Sequence, residues 1–364
     1  CTWRNKVDRA RGRLESKHFG GRGVAAARIL FYIIGIDKPS SRKRILESVP
    51  FLERRGHVVT VREHPRGIVG RIGMAFEVRR HDLVVVQKKL LRRLELALMG
   101  RMNPRLVFDL DDAVMFHEIE RNEVLTGKFF RRFVAMAAGC KGVIAGNSTL
   151  AELARAARVP PGTEDNGILV LPTPVDTSAL TASPRKNHPD RVVIGWVGTR
   201  GNLRHLKRIA GALRTVCERH AGTMKVVVKV VSDAQPVLPG IAVEYKPWSA
   251  ADEAADLQSF DIGIMPLADD LWTRGKGGYK LLQYMAAGAA AVASPVGINR
   301  EIVRHGENGL LAEDDQQWVN ALEMLVAEPA LRERLATAAR ETVERHYSLD
   351  LYNERLAAFL ERML

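Results

Sequence analysis

Residues 106–114, LVFDLDDAV, place three carboxylates, Asp109, Asp111 and Asp112, where an apolar run gives out. The run reads as a buried strand, so the acids sit at its carboxyl end. A carboxylate there can orient a hydroxyl or take its proton if it lies within hydrogen-bond reach. A D-x-D spacing can also supply a nucleophile and an acid partner around magnesium, and a turn cap is the purely structural alternative. On the D-x-D reading Asp109 is the nucleophile and Asp111 its acid partner.

Three further stretches suit anions. In VVIGWVGTRGNLRHLKRI a strand runs into a turn with Gly195, Gly198 and Gly201, followed by a basic helix start carrying Arg200, Asn202 and Arg204. Glycines admit a phosphate to the backbone, and the free N–H groups of a following helix attract it. The spacing is GxxGxxG rather than GxGxxG, and no acid ends the next strand, which argues against a nicotinamide cofactor. In RGKGGYKLLQYMAAG, Lys276 and Lys280 flank a loop-to-helix junction suited to a diphosphate, with Leu281 and Gln283 on the helix behind it. GIDKPSSRKRILE sets Ser40, Ser41, Arg42 and Arg44 after the first strand. Its serines suit an N-cap, while Ser41, Arg42 and Arg44 offer an acceptor-side or phosphate-binding edge on the cleft. Thr149 and Glu152 in GNSTLAELARA have capping-box spacing and read as structural.

These residues need strands to hold them. RILFYIIG, HVVTV, DLVVVQ, LVFDLDD and GVIAG alternate with amphipathic stretches, and the alternation restarts with RVVIGWVG, MKVVVKVVS, IAVEY, DIGIMPL and AAAVASP. Such alternation predicts an α/β protein of two Rossmann-like, doubly wound domains facing a central cleft, with ligands at the carboxyl ends of the strands. The expected boundaries are a basic extension at 1–27, a first Rossmann-like domain at 28–180, a linker at 181–190, a second Rossmann-like domain at 191–345, and a C-terminal helix at 346–364 that packs back on the first domain.

At 364 residues the chain exceeds one ordinary core. The net charge of +13 is uneven: residues 1–190 hold 34 Lys and Arg against 20 Asp and Glu, a net of +14. An anionic partner is implied, whether membrane, nucleic acid or phosphorylated substrate. Basic residues interleaved with Leu and Phe in QKKLLRRLELALMGRMNPR and GKFFRRFVAMAAG favour a membrane surface, whereas sparse aromatics and the lack of a binding motif argue against nucleic acid. No apolar stretch reaches spanning length. The first residues lack both an apolar core and an initiator Met, so they read as a truncated or mis-started end and not a signal peptide; a cytoplasmic place, peripheral on the inner membrane face, is expected. Cys1, Cys140 and Cys217 have no metal or disulfide spacing.

Taken in order, RILFYIIGIDKPSSRKRI, DLVVVQKKLL, LVFDLDDAV, VIAGNSTLAE, LPTPVDTS, IGWVGTRGNLRHL, DIGIMPLADDLWTRGKGGYKLLQYMAAG, SPVGINREIV and GENGLLAED resemble bacterial family-four glycosyltransferases from about residue 28 to 350. The resemblance implies a GT-B fold, a nucleotide-diphosphate sugar as co-substrate held by the second domain, and retaining transfer with no required cofactor or metal. The implied partner is a glycan or lipid-linked envelope acceptor, with no nucleic acid. Diphosphate contacts map to Arg200 or Arg204 and to Lys276 or Lys280, and the candidate catalytic residues are Asp111 and Asp112, which at the cleft end of their strand would orient the acceptor hydroxyl or receive its proton. The family's E-x7-E acids fall on Gly275 and Gln283; the amide can still bond a ribose, but Gly275 supplies no carboxylate. The D-x-D phosphatase alternative wants Thr or Val where Ala113 stands, and it leaves the second domain unexplained. An idle GT-B scaffold or a nucleic-acid-binding protein is the alternative to an enzyme.

Overall fold

The computed structural model describes residues 26–116, 127–158, 167–180 and 190–364. The N-terminal extension up to residue 25 and nearly all of the expected linker lie outside them.

Two six-stranded sheets account for the strands among the described residues. The first has the order β2-β1-β3-β4-β5-β6, from β1 (Arg28–Ile33), β2 (Val58–Glu63), β3 (Leu83–Gln87), β4 (Leu106–Leu110), β5 (Gly142–Ala145) and β6 (Ile168–Val170). The second runs β12-β11-β10-β7-β8-β9, from β7 (Arg191–Gly198), β8 (Lys225–Ser232), β9 (Val243–Pro247), β10 (Ile262–Met265), β11 (Ala290–Ala293) and β12 (Leu310–Leu311). Every pairing within them is parallel. Parallel neighbours require a crossover, and the intervening helices supply it.

Alternate residues of a strand face opposite sides, so each strand feeds two cores. In β1, Leu30 and Tyr32 join Val84, Val86 and Phe108 under the helices that contain Met74, Leu96 and Phe133. Ile29, Phe31 and Ile33 face the other way, onto Leu46, Leu52 and the C-terminal helix Leu349–Met363 through Tyr352, Leu356, Phe359 and Leu360. That helix belongs in sequence to the second half but covers the first sheet. Its edge is tied down by Arg55 Nε to Glu361 Oε1 at 2.9 Å and by Tyr352 Oη donating to the Arg44 carbonyl at 2.9 Å.

From sequence, SSRKRILESVPFLERRG reads as one helix and Thr149–Glu152 as a capping box; the structure corrects both. The stretch after β1 does not make one helix: Pro39–Ser41 passes into a π-helical turn, Arg42–Leu46, and a new helix, Val49–Arg54, starts with Pro50 in its first turn. Proline has no N–H for a continuing helix, and at a helix start none is needed. Helix Ser148–Arg158 is capped by Asn147, whose Oδ1 accepts from Leu150 N at 2.8 Å, and not by the Thr149–Glu152 box.

Candidate functional site

The carboxyl ends of the strands of both sheets meet at the domain junction. On the first-domain side, Lys88 follows β3 in a left-handed conformation (φ 53°), the only non-glycine residue among those described with positive φ. Backbone strain of this kind persists where the surroundings over-determine it. Lys88 N donates to the Asp109 carbonyl at 2.7 Å, and Nζ lies 3.0 Å from Asp111 Oδ1 and 3.7 Å from Asp112 Oδ2. Burial by itself would raise the pKa of Asp111, but Lys88 and then Arg44 hold it below the usual carboxylate range. Asp112 is the more exposed of the pair.

Asp109 belongs to the interior. It is fully buried and receives Arg44 Nη2 at 2.5 Å and Nε at 3.2 Å, while Arg44 Nη1 donates to the Leu171 carbonyl at 2.8 Å. Burial opposes the charge of Arg44, and Asp109 more than offsets it, raising the guanidinium's pKa. Arg44 and Ser41 are therefore not a phosphate-binding edge. Both are wholly buried, and the Ser41 hydroxyl, which caps no helix, donates to Gln87 Oε1 at 2.7 Å. Of the three residues expected on that edge only Arg42 is partly exposed. An Asp109 sealed by Arg44 also cannot serve as the nucleophile of a D-x-D phosphatase.

On the second-domain side, Lys276 lies 3.6 Å from the centre of the Trp272 ring and donates to Asn202 Oδ1 at 3.2 Å, while the Arg204 guanidinium sits 5.2 Å from the same ring. Stacking on one indole holds two cations close together in spite of their repulsion. Burial lowers the pKa of Lys276 to about 8; Asp112 opposes that shift across the junction and Arg204 adds to it. Lys280 goes elsewhere. Its helix starts only at Tyr279, behind a left-handed Gly278, and Nζ lies 3.8 Å from Glu253 Oε1, an acid that also accepts from Trp248 Nε1. The two lysines thus mark separate places and not one cation pair. Gln283 is buried on the same helix, and its Oε1 finds no hydrogen-bond partner among the described residues. Leu281 is core, not site.

The glycines divide as well. A Cβ at Gly198 would lie 2.2 Å from the Trp196 ring and one at Gly195 2.0 Å from the Phe260 ring, so these positions are small because aromatics pack on them; Gly201 alone opens to free space. Arg200 is exposed, and its N–H is already taken by Asp233 Oδ1 at 2.6 Å. At Gly275 a Cβ would lie 2.3 Å from Ala113 Cβ, which leaves no room for an acid. A cavity of about 350 Å³ between Pro266, Leu267, Ser294 and Trp318 opens at the carboxyl ends of β10 and β11. A larger one of about 390 Å³, lined by Val170, Arg304, His346 and Arg355, contains none of the expected site residues.

Sequence reasoning missed Asn147, Trp272 and Glu253, and took Lys88 for a surface cation. Lys88 carried a usable signal, as the first residue after a strand that neighbours LVFDLDD. The other three depend on contacts between distant segments.

Residues 191–328 match the family profile described as glycosyl transferases group 1. No curated protein matches the chain. Among solved structures, HepE of Anabaena in complex with UDP and glucose is similar over 92% of this chain and 100% of its own, at 17% identity and a TM-score of 0.68. A glycosyltransferase from Rickettsia africae ESF-5 is similar over 93% and 99% (11% identity, TM-score 0.67), and sucrose-phosphate synthase from Thermosynechococcus elongatus over 92% and 98% (12% identity, TM-score 0.63). The profile match on residues 191–328, together with the two-sheet fold shared with GT-B neighbours, supports a glycosyltransferase.

Proposed function

We propose that the protein moves a sugar, with retention, from a nucleoside-diphosphate donor to a glycan or lipid-linked envelope acceptor at the inner membrane face. The observation that carries this reading is the pairing of two charge clusters across the junction: Lys276 and Arg204 on Trp272, opposite Lys88, Asp111 and Asp112. As the bond between the anomeric carbon and the diphosphate oxygen breaks, Lys276 and Arg204 stabilise the charge growing on the leaving group in a site that excludes much of the water. The acceptor hydroxyl forms the new bond to that carbon on the face the diphosphate is leaving, which retains configuration, and its proton goes to Asp112 or to Asp111, which Lys88 holds below the usual carboxylate range. Gln283 is buried with its amide oxygen unpaired among the described residues, so a ribose contact there rests on the sequence resemblance alone. Retention and the envelope acceptor rest on the sequence resemblance. UDP is the first donor base to test, because HepE was solved with it.

The membrane part of the reading rests on helices Ile68–Val78 and Arg93–Met102, which Arg71 and Glu95 join at 2.7 Å. Val69, Ile72, Phe76, Leu94 and Leu98 are exposed on them, Val69 at 85% and Leu94 at 72%. Residues 66–105 carry ten Lys and Arg against three acids, and each acid already has a partner: Glu77 with Tyr32, Asp82 with Arg28 and Glu95 with Arg71. Exposed apolar side chains ringed by unopposed cations suit an anionic bilayer. The other basic stretch contributes less, since helix Lys128–Gly139 turns Phe133, Met136 and Ala137 into the core. Among the described residues no helix is long and apolar enough to cross a membrane.

A thermal-shift series with UDP, GDP, ADP and TDP and their sugars, with and without magnesium, tests the donor reading, because a ligand bound only by the native state raises Tm. One diphosphate should stand out, and its sugar conjugate should be consumed when acceptor is added. No shift with any of them at millimolar concentration, or salt-dependent RNA or DNA binding in their place, would overturn it.

A further inference from the structure

The Arg274–Gly278 loop carries Lys276, and it touches the first domain through backbone more than side chains. Ala113 occupies the space a Cβ would need at Gly275, and the Asp111 carbonyl lies 3.2 Å from where one would stand at Gly277. The third contact is Asn147, wholly buried at the end of β5. Its Oδ1 caps helix Ser148–Arg158 by accepting from Leu150 N at 2.8 Å, and its Nδ2 donates to the Lys276 carbonyl at 2.9 Å and the Arg274 carbonyl at 3.3 Å. The assignment of O and N is internally fixed, because the partner on one side is an N–H and those on the other are carbonyls. Gly146, just before it, packs against Asp111, with a notional Cβ 2.7 Å from the Asp111 Cα. One amide thus joins the acid-bearing loop, a helix start and the lysine-bearing loop.

We propose that Asn147 is a positioning residue for transfer: its oxygen caps the first-domain helix while its nitrogen clamps the Lys276 loop, so that domain closure and placement of the lysine become one event. The clamp acts on Lys276 through the backbone on either side of it, and needs no contact with substrate. Its catalytic part rests on the donor reading above, whereas its structural part does not. The glycines serve the same end, since any side chain at 275 would wedge the loop away from Ala113.

Substitution separates the two jobs of the amide. Asn147→Ser keeps a good capping oxygen but has no reach to the loop, and Asn147→Asp keeps the cap while presenting a carboxylate to two carbonyls. Amide exchange should quicken about tenfold or more across 274–280 in both variants, with Tm little changed in Asn147→Ser and lowered in Asn147→Asp, whose buried carboxylate faces two carbonyls. Where turnover is measured, kcat should fall about ten- to a hundredfold while donor Kd moves less. Gly275→Ala, approaching from the other side of the loop, should give the same pattern. Wild-type exchange in 274–280 for Asn147→Ser and Gly275→Ala would overturn the clamp whether or not a donor is known. Faster exchange with wild-type kcat would overturn its catalytic role, and failure of wild type to bind any donor would count against the donor reading alone.

Discussion

At the scale of residues, Lys276 is the sharpest test of the cleft. It titrates near 8 because burial disfavours its charge, and the groups around it divide: Asp112 and Asp270 support the cation, Arg204 and Lys88 oppose it. Below pH 8 both folded and unfolded chains hold this proton, so the fold bears the cost of a crowded, buried charge. Between 8 and the ordinary lysine value of 10.5 only the unfolded chain keeps the proton, so this group's contribution to stability rises with pH. A diphosphate reverses the balance by favouring the ammonium. Affinity for the diphosphate that gives the thermal shift should be nearly flat up to about pH 7.5 and fall by up to about tenfold per unit above 8. Lys276→Arg should flatten that profile, since an arginine does not titrate there. Calorimetric titration across pH 6.5 to about 9.5 checks both; an unchanged profile in the variant would show that another group carries the diphosphate.

At the scale of elements, the strands were legible and the surfaces between them were not. β-branched runs such as LVVVQ and KVVVKVVS leave little choice of structure, and the D-x-D cluster falls at a strand end as its position in LVFDLDDAV required. The roles of Asp109 and Arg44 were hidden, because their 65-residue separation gives no local pattern. Basic patches misled for the same reason. Charge spacing marks an amphipathic helix, but only packing shows that Phe133 points inward while Val69 and Phe76 point out. The membrane reading therefore belongs to helices Ile68–Val78 and Arg93–Met102. Protein should co-sediment with vesicles containing phosphatidylglycerol, weakly or not at all with pure phosphatidylcholine, and less as salt rises. The triple substitution Val69→Asp, Phe76→Asp, Leu94→Asp should abolish co-sedimentation and leave turnover of a water-soluble acceptor in place. Equal binding by the variant would move the contact elsewhere on the molecule.

At the scale of the whole molecule, the last helix couples the domains. The chain leaves the first sheet, builds the second, and returns: Val175 N donates to the Tyr347 carbonyl at 3.0 Å and Leu349 N to the Val175 carbonyl at 3.1 Å, so outgoing and returning segments meet in a single parallel bridge. Beyond that crossing, Phe359 and Met363 pack so tightly on β5 that a Cβ at Gly142 would stand 3.0 Å from the Phe359 ring and 2.9 Å from the Met363 sulfur. A first sheet without this cover would expose Phe31, Val85, Val107 and Ile144 on one face. Each such side chain contributes about 1.5–3 kcal/mol when buried, and a domain has only about 5–15 kcal/mol in hand. The first domain therefore cannot be stable without the end of the chain, and stress at the terminus should register in strands about 200 residues or more away, a separation set by topology and not by local propensity. Phe359→Ala should cost about 3–5 kcal/mol, and amide exchange should quicken in β1, β3 and β5 while β7 and β8, which belong to the second sheet, keep their protection. Exchange that quickened only within Leu349–Met363 would mean that the helix rests on the sheet without holding it.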